Sequence, residues 1–181
     1  MDGKVNQRVM LTKRLIKDTL VRILHEKGIR NISVRDLCEQ AGINRTTFYR
    51  YYGSPYDVLS EMEEELLNRV QNELGRNDGD PSRQLEAICA YFYRNTEYVR
   101  ILTDNSVKPD FPQKLFHLSP IRQMLLEKLR GRYDEQSLEF VITFVINGGY
   151  HMLREWLHGE NHKPPTQIAA LILELAEKVC R

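Results

Sequence analysis

The chain reads as all-α: a three-helix head carrying a helix-turn-helix, joined to a larger helical domain, about nine helices in all. Three observations predict this. Apolar residues recur at helical spacing along the chain, between polar connectors that contain glycine or proline. Residues 33 to 52, SVRDLCEQAGINRTTFYRYY, form two short helical patterns separated by Gly42. Charge is also divided unevenly. Residues 1 to 60 hold 11 Lys or Arg against 6 Asp or Glu, whereas residues 61 to 181 hold 15 against 19, so the net charge of +1 conceals a basic segment on an acidic body. That division is the electrostatic footprint of a nucleic-acid-binding head on a separate domain. The expected boundaries are 1–54 for the head and 55–181 for the body, with a helix over 55–74 connecting them.

Taken in order, residues 1 to 9 are polar and read as a frayed start. Thr12 is expected to cap a first helix running to Lys27, with Leu15 or Ile16, Leu20, Ile23 and Leu24 as its buried stripe and Gly28 as its stop. Ser33 and Asp36 have the spacing of a capping box. Val34, Leu37, Cys38 and Ala41 then turn one face of a short helix inward. Gly42 tolerates the left-handed conformation that closes a tight turn, and Asn44 can cap the next helix, about Arg45 to Tyr52. Phe48 with Tyr51 or Tyr52 anchors it, which leaves Arg45, Thr46, Tyr49 and Arg50 outside. Two short helices joined this way and docked on a third form the motif whose second helix enters the major groove.

Ser54, Pro55 and Asp57 form a strong helix start. The helix should reach Leu74 with Val58, Leu59, Met62, Leu66 and Val70 inward, and with Glu61, Glu63, Glu64 and Glu65 on a solvated face. Residues 75 to 81, GRNDGDP, read as a linker. A helix from Pro81 to Thr103 follows, then a loop over 104–112, then one helix or a pair as far as Tyr133. Asp134 is expected to cap a long helix ending near His158, and residues 166 to 180 complete the chain with a last helix.

Residues Ile32 to Ile43, followed by Thr47-Phe48-Tyr49-Arg50-Tyr51-Tyr52-Gly53-Ser54, closely resemble the N-terminal signature of the TetR family of bacterial transcriptional regulators. The resemblance covers roughly residues 10 to 60. It implies a homodimer paired through the last two long helices, bound to a palindromic double-stranded DNA operator and usually released by a small-molecule effector. The family usually has a lysine that meets a phosphate where this chain has Pro55. The expected replacements are the Tyr56 hydroxyl and the exposed amides at the helix start.

On this reading Arg45 and Thr46 face base edges, and Arg50 faces either a base or a phosphate. Tyr49, Tyr51, Asn44, Ser33, Arg35, Ser54, Tyr56, Lys13 and Arg14 complete the candidate DNA-contacting set, although Arg35 can instead pair with Glu39 on its own helix. Candidate effector-cavity residues are Phe92, Tyr98, Phe111, Phe116, Phe144, Tyr150 and Trp156, an aromatic collection of a kind that is more often plain core. The dimer surface is expected at Phe140, Phe144, Gly148, Met152, Ile168, Leu171 and Leu175, on helices apolar over more than one face. The alternative reading is a protein-interaction module or coactivator of the same fold without operator recognition of its own.

Other classes fit poorly. There is no glycine-rich phosphate loop or nucleophile elbow, so no catalytic residue is assigned. His25, His117, His151, His158 and His162 do not combine with cysteines into a ligand set, so neither a metal nor a cofactor is expected. Cys38, Cys89 and Cys180 contain no CxxC pair and suit a reducing, cytoplasmic setting. No apolar run is long enough for a bilayer, and no membrane partner is expected.

Overall fold

The computed structural model describes residues 2–75, 80–104, 106–116, 118–160 and 163–180; the side chains of residues 2–6, 116, 119–121 and 124 fall outside the described set. The described residues form ten α-helices and one 3-10 turn: α1 (Asp2–Leu24), the turn Ile29–Asn31, α2 (Val34–Ala41), α3 (Arg45–Tyr49), α4 (Pro55–Leu74), α5 (Pro81–Arg94), α6 (Thr96–Thr103), α7 (Phe111–Phe116), α8 (Ser119–Leu129), α9 (Glu135–His158) and α10 (Pro165–Val179). None is long and apolar enough to cross a membrane. They pack into two compact units, residues 1–65 and 66–181.

In the first unit, α1 starts ten residues earlier than its expected Thr12 cap. Thr12 lies inside the helix, where its hydroxyl donates to the Arg8 carbonyl at 2.9 Å, the back-bonding that a mid-helix threonine adopts. The helix also ends before Gly28, which instead has an extended backbone and precedes the 3-10 turn. Of the two candidates for the α1 stripe, Ile16 is fully buried and Leu15 is exposed. The capping box at α2 forms in both directions, and Gly42 takes a φ of 63° at its end. α3 is shorter than expected. It leaves the α form after Tyr49, and the amides of Tyr51 and Tyr52 both turn back to the Phe48 carbonyl. Phe48 and Tyr52 are the buried anchors, with ring centroids 5.8 Å apart.

The division between the units falls inside α4, eleven residues beyond the 54/55 boundary expected at its start. Ion pairing accounts for the difference. Glu61 and Glu65 reach across to Lys13 and Lys17 of α1 at 2.6 to 2.7 Å, so the first half of α4 is part of the head. The glutamates of α4 are therefore not one solvated face: Glu61 is half-buried and Glu63 is buried.

In the second unit, the single helix expected over 81–103 is two. The break falls at Asn95, whose side-chain amide donates to the Tyr91 carbonyl at 2.8 Å, while the Thr96 hydroxyl takes the Tyr93 carbonyl at 2.6 Å. Asparagine and threonine compete in this way for carbonyls that would otherwise continue a helix. The loop expected over 104–112 is cut short by α7, which accommodates Pro112 in its first turn. α9 matches its expected span, and the Asp134 carboxylate caps it through the Ser137 amide at 3.0 Å. α5 packs chiefly on α10, and α9 is flanked by α6, α8 and α10. All three cysteines are free and buried, and burial pushes the Cys89 thiol up to about 12, as expected of packing residues. The expected linker at 75–81 lies largely outside the described residues, as do His117 and His162.

Candidate nucleic-acid interface and effector cavity

The interface is built from the turn outward. The Asn44 side-chain carbonyl accepts the Thr47 amide at 2.7 Å and fixes where α3 begins. At 100° per residue, Arg45, Thr46, Tyr49 and Arg50 then span about 140° of the helix surface, opposite Phe48. All four are exposed, Tyr49 by 58%. Arg50 keeps helical dihedrals although it lies just past the last α-helical residue, so it stays on that face.

Charge pairing separates the head's cations into two groups. Lys27 binds Asp36 at 2.9 Å, joining the segment after α1 to the start of α2. This bond, with those from Ser33, holds the Asp36 carboxyl well below its usual range, at about 2. Arg35 pairs with Glu39 at 2.7 Å, as its spacing allowed, which raises the arginine pKa further. Lys13 and Lys17 are committed to Glu61. Burial opposes the Glu61 charge, but hydrogen bonds from Lys13, Lys17 and the Tyr52 hydroxyl outweigh it and hold its pKa below normal. The Tyr52 phenol is pushed up by burial and then by that neighbouring carboxylate. Among the described residues, Arg45 and Arg50 have no ion-pair partner. They are the cations α3 offers to another molecule.

Several expected contacts change accordingly. Lys13 is tied into the α1–α4 junction and is only a third exposed, whereas Arg14 is exposed and meets Asp18 only at 3.8 Å. Asn44 uses its carbonyl for the cap. Ser33 accepts the Asp36 amide, which leaves its own hydroxyl proton to donate. The two amides just before the helix start are already engaged: Gly53 and Ser54 donate to the Asp57 carboxylate at 2.8 and 3.1 Å. Pro55 itself is buried and Tyr56 is exposed beside it. Tyr51 and Ser54 are half-buried.

Sequence reasoning passed over the Glu61 junction, although a signal was present. Lys13 and Lys17 are four residues apart on α1, and Glu61 and Glu65 are four apart on α4, which is matched spacing of opposite charge. Arg30, exposed in the 3-10 turn just before α2, was also passed over and carries no motif that would have singled it out.

The second unit holds a cavity of about 150 Å³ with walls from the end of α4 and from α5 and α7 to α10. Of the expected residues, Phe92 and Tyr150 line it. Tyr98 is displaced onto the separate helix α6 by the break at Asn95. Phe111 is fully buried elsewhere in the core. Trp156 stacks on Tyr93 at 5.9 Å and donates its indole N–H to the Lys163 carbonyl at 2.8 Å. Phe144 is 65% exposed on the opposite face of α9, and the Phe116 side chain lies outside the described residues. The wall that replaces these aromatics is aliphatic, including Leu85, Ile88, Val145, Ile146, Leu153 and Ile172. Among the described residues there is no cluster of three or more His, Cys, Asp or Glu able to hold a metal.

The outer faces of α9 and α10 carry exposed apolar residues. Phe140 is 67% exposed, Phe144 follows four residues later, and Gly148 four beyond that; Leu171 and Leu175 repeat the spacing on α10. A methyl group added at Gly148 would meet nothing within 4 Å in the single chain. Met152 is half-buried. Ile168 departs from the expectation, because it is 5% exposed and faces its own domain's core.

Comparison with known proteins bears on both units. Residues 16–62 match the family model described as bacterial regulatory proteins, tetR family, and residues 79–178 match a transcriptional regulator C-terminal region. The HTH-type transcriptional regulator EthR of Mycolicibacterium smegmatis is 33% identical over 81 residues, 42% of this chain and 37% of that protein. The chain thus matches little more than a third of the length of its curated relatives. Among solved structures, a TetR transcriptional regulator from Streptococcus agalactiae superposes with a TM-score of 0.69 at 22% identity, over 97% of this chain and 99% of that one. A TetR-family regulator from Syntrophomonas wolfei gives 0.70 at 14% identity, over 94% and 95%. With a capped and outward-facing α3 in the head and a matched regulatory body, the chain belongs to the tetR family of bacterial regulatory proteins, which are DNA-binding transcriptional regulators and not enzymes.

Proposed function

We propose that this regulator is a cytoplasmic homodimer that binds a palindromic operator through its two α3 helices and represses transcription until a small effector enters the body cavity. The observation that carries the DNA-contacting part is the sorting of charge in the head. Lys13, Lys17, Lys27 and Arg35 are neutralised internally, whereas Arg45 and Arg50 stand unpaired among the described residues on the outward face of α3. Arginine bidentate to guanine is the commonest base-specific contact, and Thr46 beside it suits a base edge or thymine methyl. Tyr49, Tyr51, Tyr56, Ser33, Ser54 and Arg14 serve as positioning contacts to phosphate.

Dimerisation is supported by the exposed row Phe140, Phe144, Leu171 and Leu175. A face this apolar is costly in water and is matched by a second copy of itself in an isologous pair. Gly148 on the same row lets two helices approach closely. Effector control is supported by the placement of the cavity, since α9 and α10 contribute both its wall and the outer row. A ligand that prefers one spacing of these helices would favour one spacing of the paired heads, and the shift is bounded by that difference in affinity.

The reading as a protein-interaction module draws on one observation, the capture of the α4-start amides by Asp57 where the family lysine is also missing. Titration of a genomically selected operator at several salt concentrations separates the two. DNA binding requires log K to fall with log salt by about 0.9 per phosphate neutralised. A flat salt response, with retained dimerisation, would favour the interaction module.

A further inference from the structure

The chemistry of the cavity is narrower than that of a general effector site. Among the described residues its lining contains no Asp, Glu, Lys, Arg or His, and Gln84 and Tyr150 are the polar side chains there. The Gln84 amide already donates to the Leu74 carbonyl at 3.3 Å. The remaining wall is hydrocarbon, with a backbone approach at Gly149. An ion placed there would lose its hydration with no opposite charge to replace it. Volume sets a second limit. At about 150 Å³, the cavity matches the size at which an apolar protein cavity stays dry and accepts a single benzene ring. A long acyl chain or a nucleotide-bearing molecule is larger than this space.

We infer that this cavity takes an uncharged, hydrocarbon-rich molecule of single-ring size, with one polar substituent at most. The inference rests on the cavity being the effector site. Gly149 of α9 and Ile172 of α10 both line the cavity, and a Cβ built at Gly149 would stand 3.6 Å from the Ile172 methyl. That distance is ordinary van der Waals contact, so Gly149→Ala fits without displacement and removes cavity volume.

The test uses the full-length protein with toluene, benzoate and laurate as probes, followed by calorimetric titration and thermal melting. The same probes are then added to the complex with a selected operator. Toluene is expected to bind at least about tenfold more tightly than benzoate, because only the latter carries a charge into an unpaired site. Gly149→Ala should weaken toluene while leaving the helical circular dichroism unchanged. Ala176→Leu, which fills the same space from α10, should do so more strongly. Tighter binding of benzoate or laurate than of toluene, sensitive to Ala176→Leu, would overturn the ligand class and leave the effector site standing. Toluene binding that leaves the operator complex intact would uphold the class and remove the effector reading. Failure of all three probes, with Gly149→Ala simply raising the melting temperature, would show a packing void and overturn the inference.

Discussion

The head and the body solve the same problem, ordering short helices, by different means. In the head, helix ends are written into neighbouring residues: Ser33 with Asp36, Gly42 after α2, Asn44 before α3 and Ser54 with Asp57 before α4. In the body, caps such as Asp80 and Asp134 also occur, but the break at Asn95 is made by the Asn95 and Thr96 side chains taking carbonyls of the preceding turn, which no cap motif announces. The head pairs Lys13, Lys17, Lys27 and Arg35 internally, whereas the body leaves its most apolar row exposed. The comparison implies that a head residue buried in the core should govern stability. An exposed residue on the body's outer face should govern association.

The largest effect expected is at Phe48, which is fully buried beneath α3. Phe48→Ala should destabilise the head by about 3–5 kcal/mol in denaturant unfolding. Phe144→Glu, on an equally large aromatic, should change unfolding of the single chain by no more than about 0.5 kcal/mol, while sedimentation shows monomers in place of dimers. An intact dimer in that variant would break the comparison.

Lys17→Ala should come next. It removes a buried ammonium from Glu61 and Glu65, and because Lys13 and Tyr52 still satisfy Glu61, a cost of about 1–3 kcal/mol is expected. Unfolding monitored near the single tryptophan, which lies in the body, against total helical signal would locate that loss in the head. Asn44→Ala should cost about 1 kcal/mol through loss of the α3 cap.

The smallest effect is pH-linked. Asp36 has a folded pKa depressed from an ordinary 3.8 to about 2, so its stabilising bonds with Lys27 and Ser33 are fully present above the unfolded value. They are lost as pH falls from near 4 through about 2. Asp36→Asn should therefore be less stable than the natural chain at pH 6, and the difference should shrink as pH falls from near 4 and vanish only below about 2. A difference that persists there would show that the side chain acts through packing and not charge.

These contrasts explain what could be read from the residues alone. The turn between α2 and α3 was legible because its determinants are local: a cap, a left-handed glycine and an apolar spacing. The outward set on α3 followed from the same periodicity. The reach of α1 was not legible, because Thr12 has the composition of a cap but bonds backward within a longer helix. The cavity was mostly misassigned for a related reason. Aromatic composition does not say which way a residue points, and Phe144, Trp156 and Tyr98 do not line the space that Leu85, Ile146 and Ile172 help enclose. Ile168 illustrates the converse, an apolar residue on α10 that serves its own core and not the outer row.

The central claim is that the four outward side chains of α3 recognise DNA. The most direct measurement is the affinity of the full-length protein for a selected operator and for a scrambled duplex at one salt concentration, with Arg45→Ala and Tyr49→Ala alongside. Arg45→Ala is expected to lose about 1–3 kcal/mol on the operator and much less on the scrambled duplex, because it removes a base contact. Tyr49→Ala should weaken operator binding more mildly, with dimerisation intact in both. Unchanged operator affinity in both variants would contradict the assignment of α3 as the recognition helix.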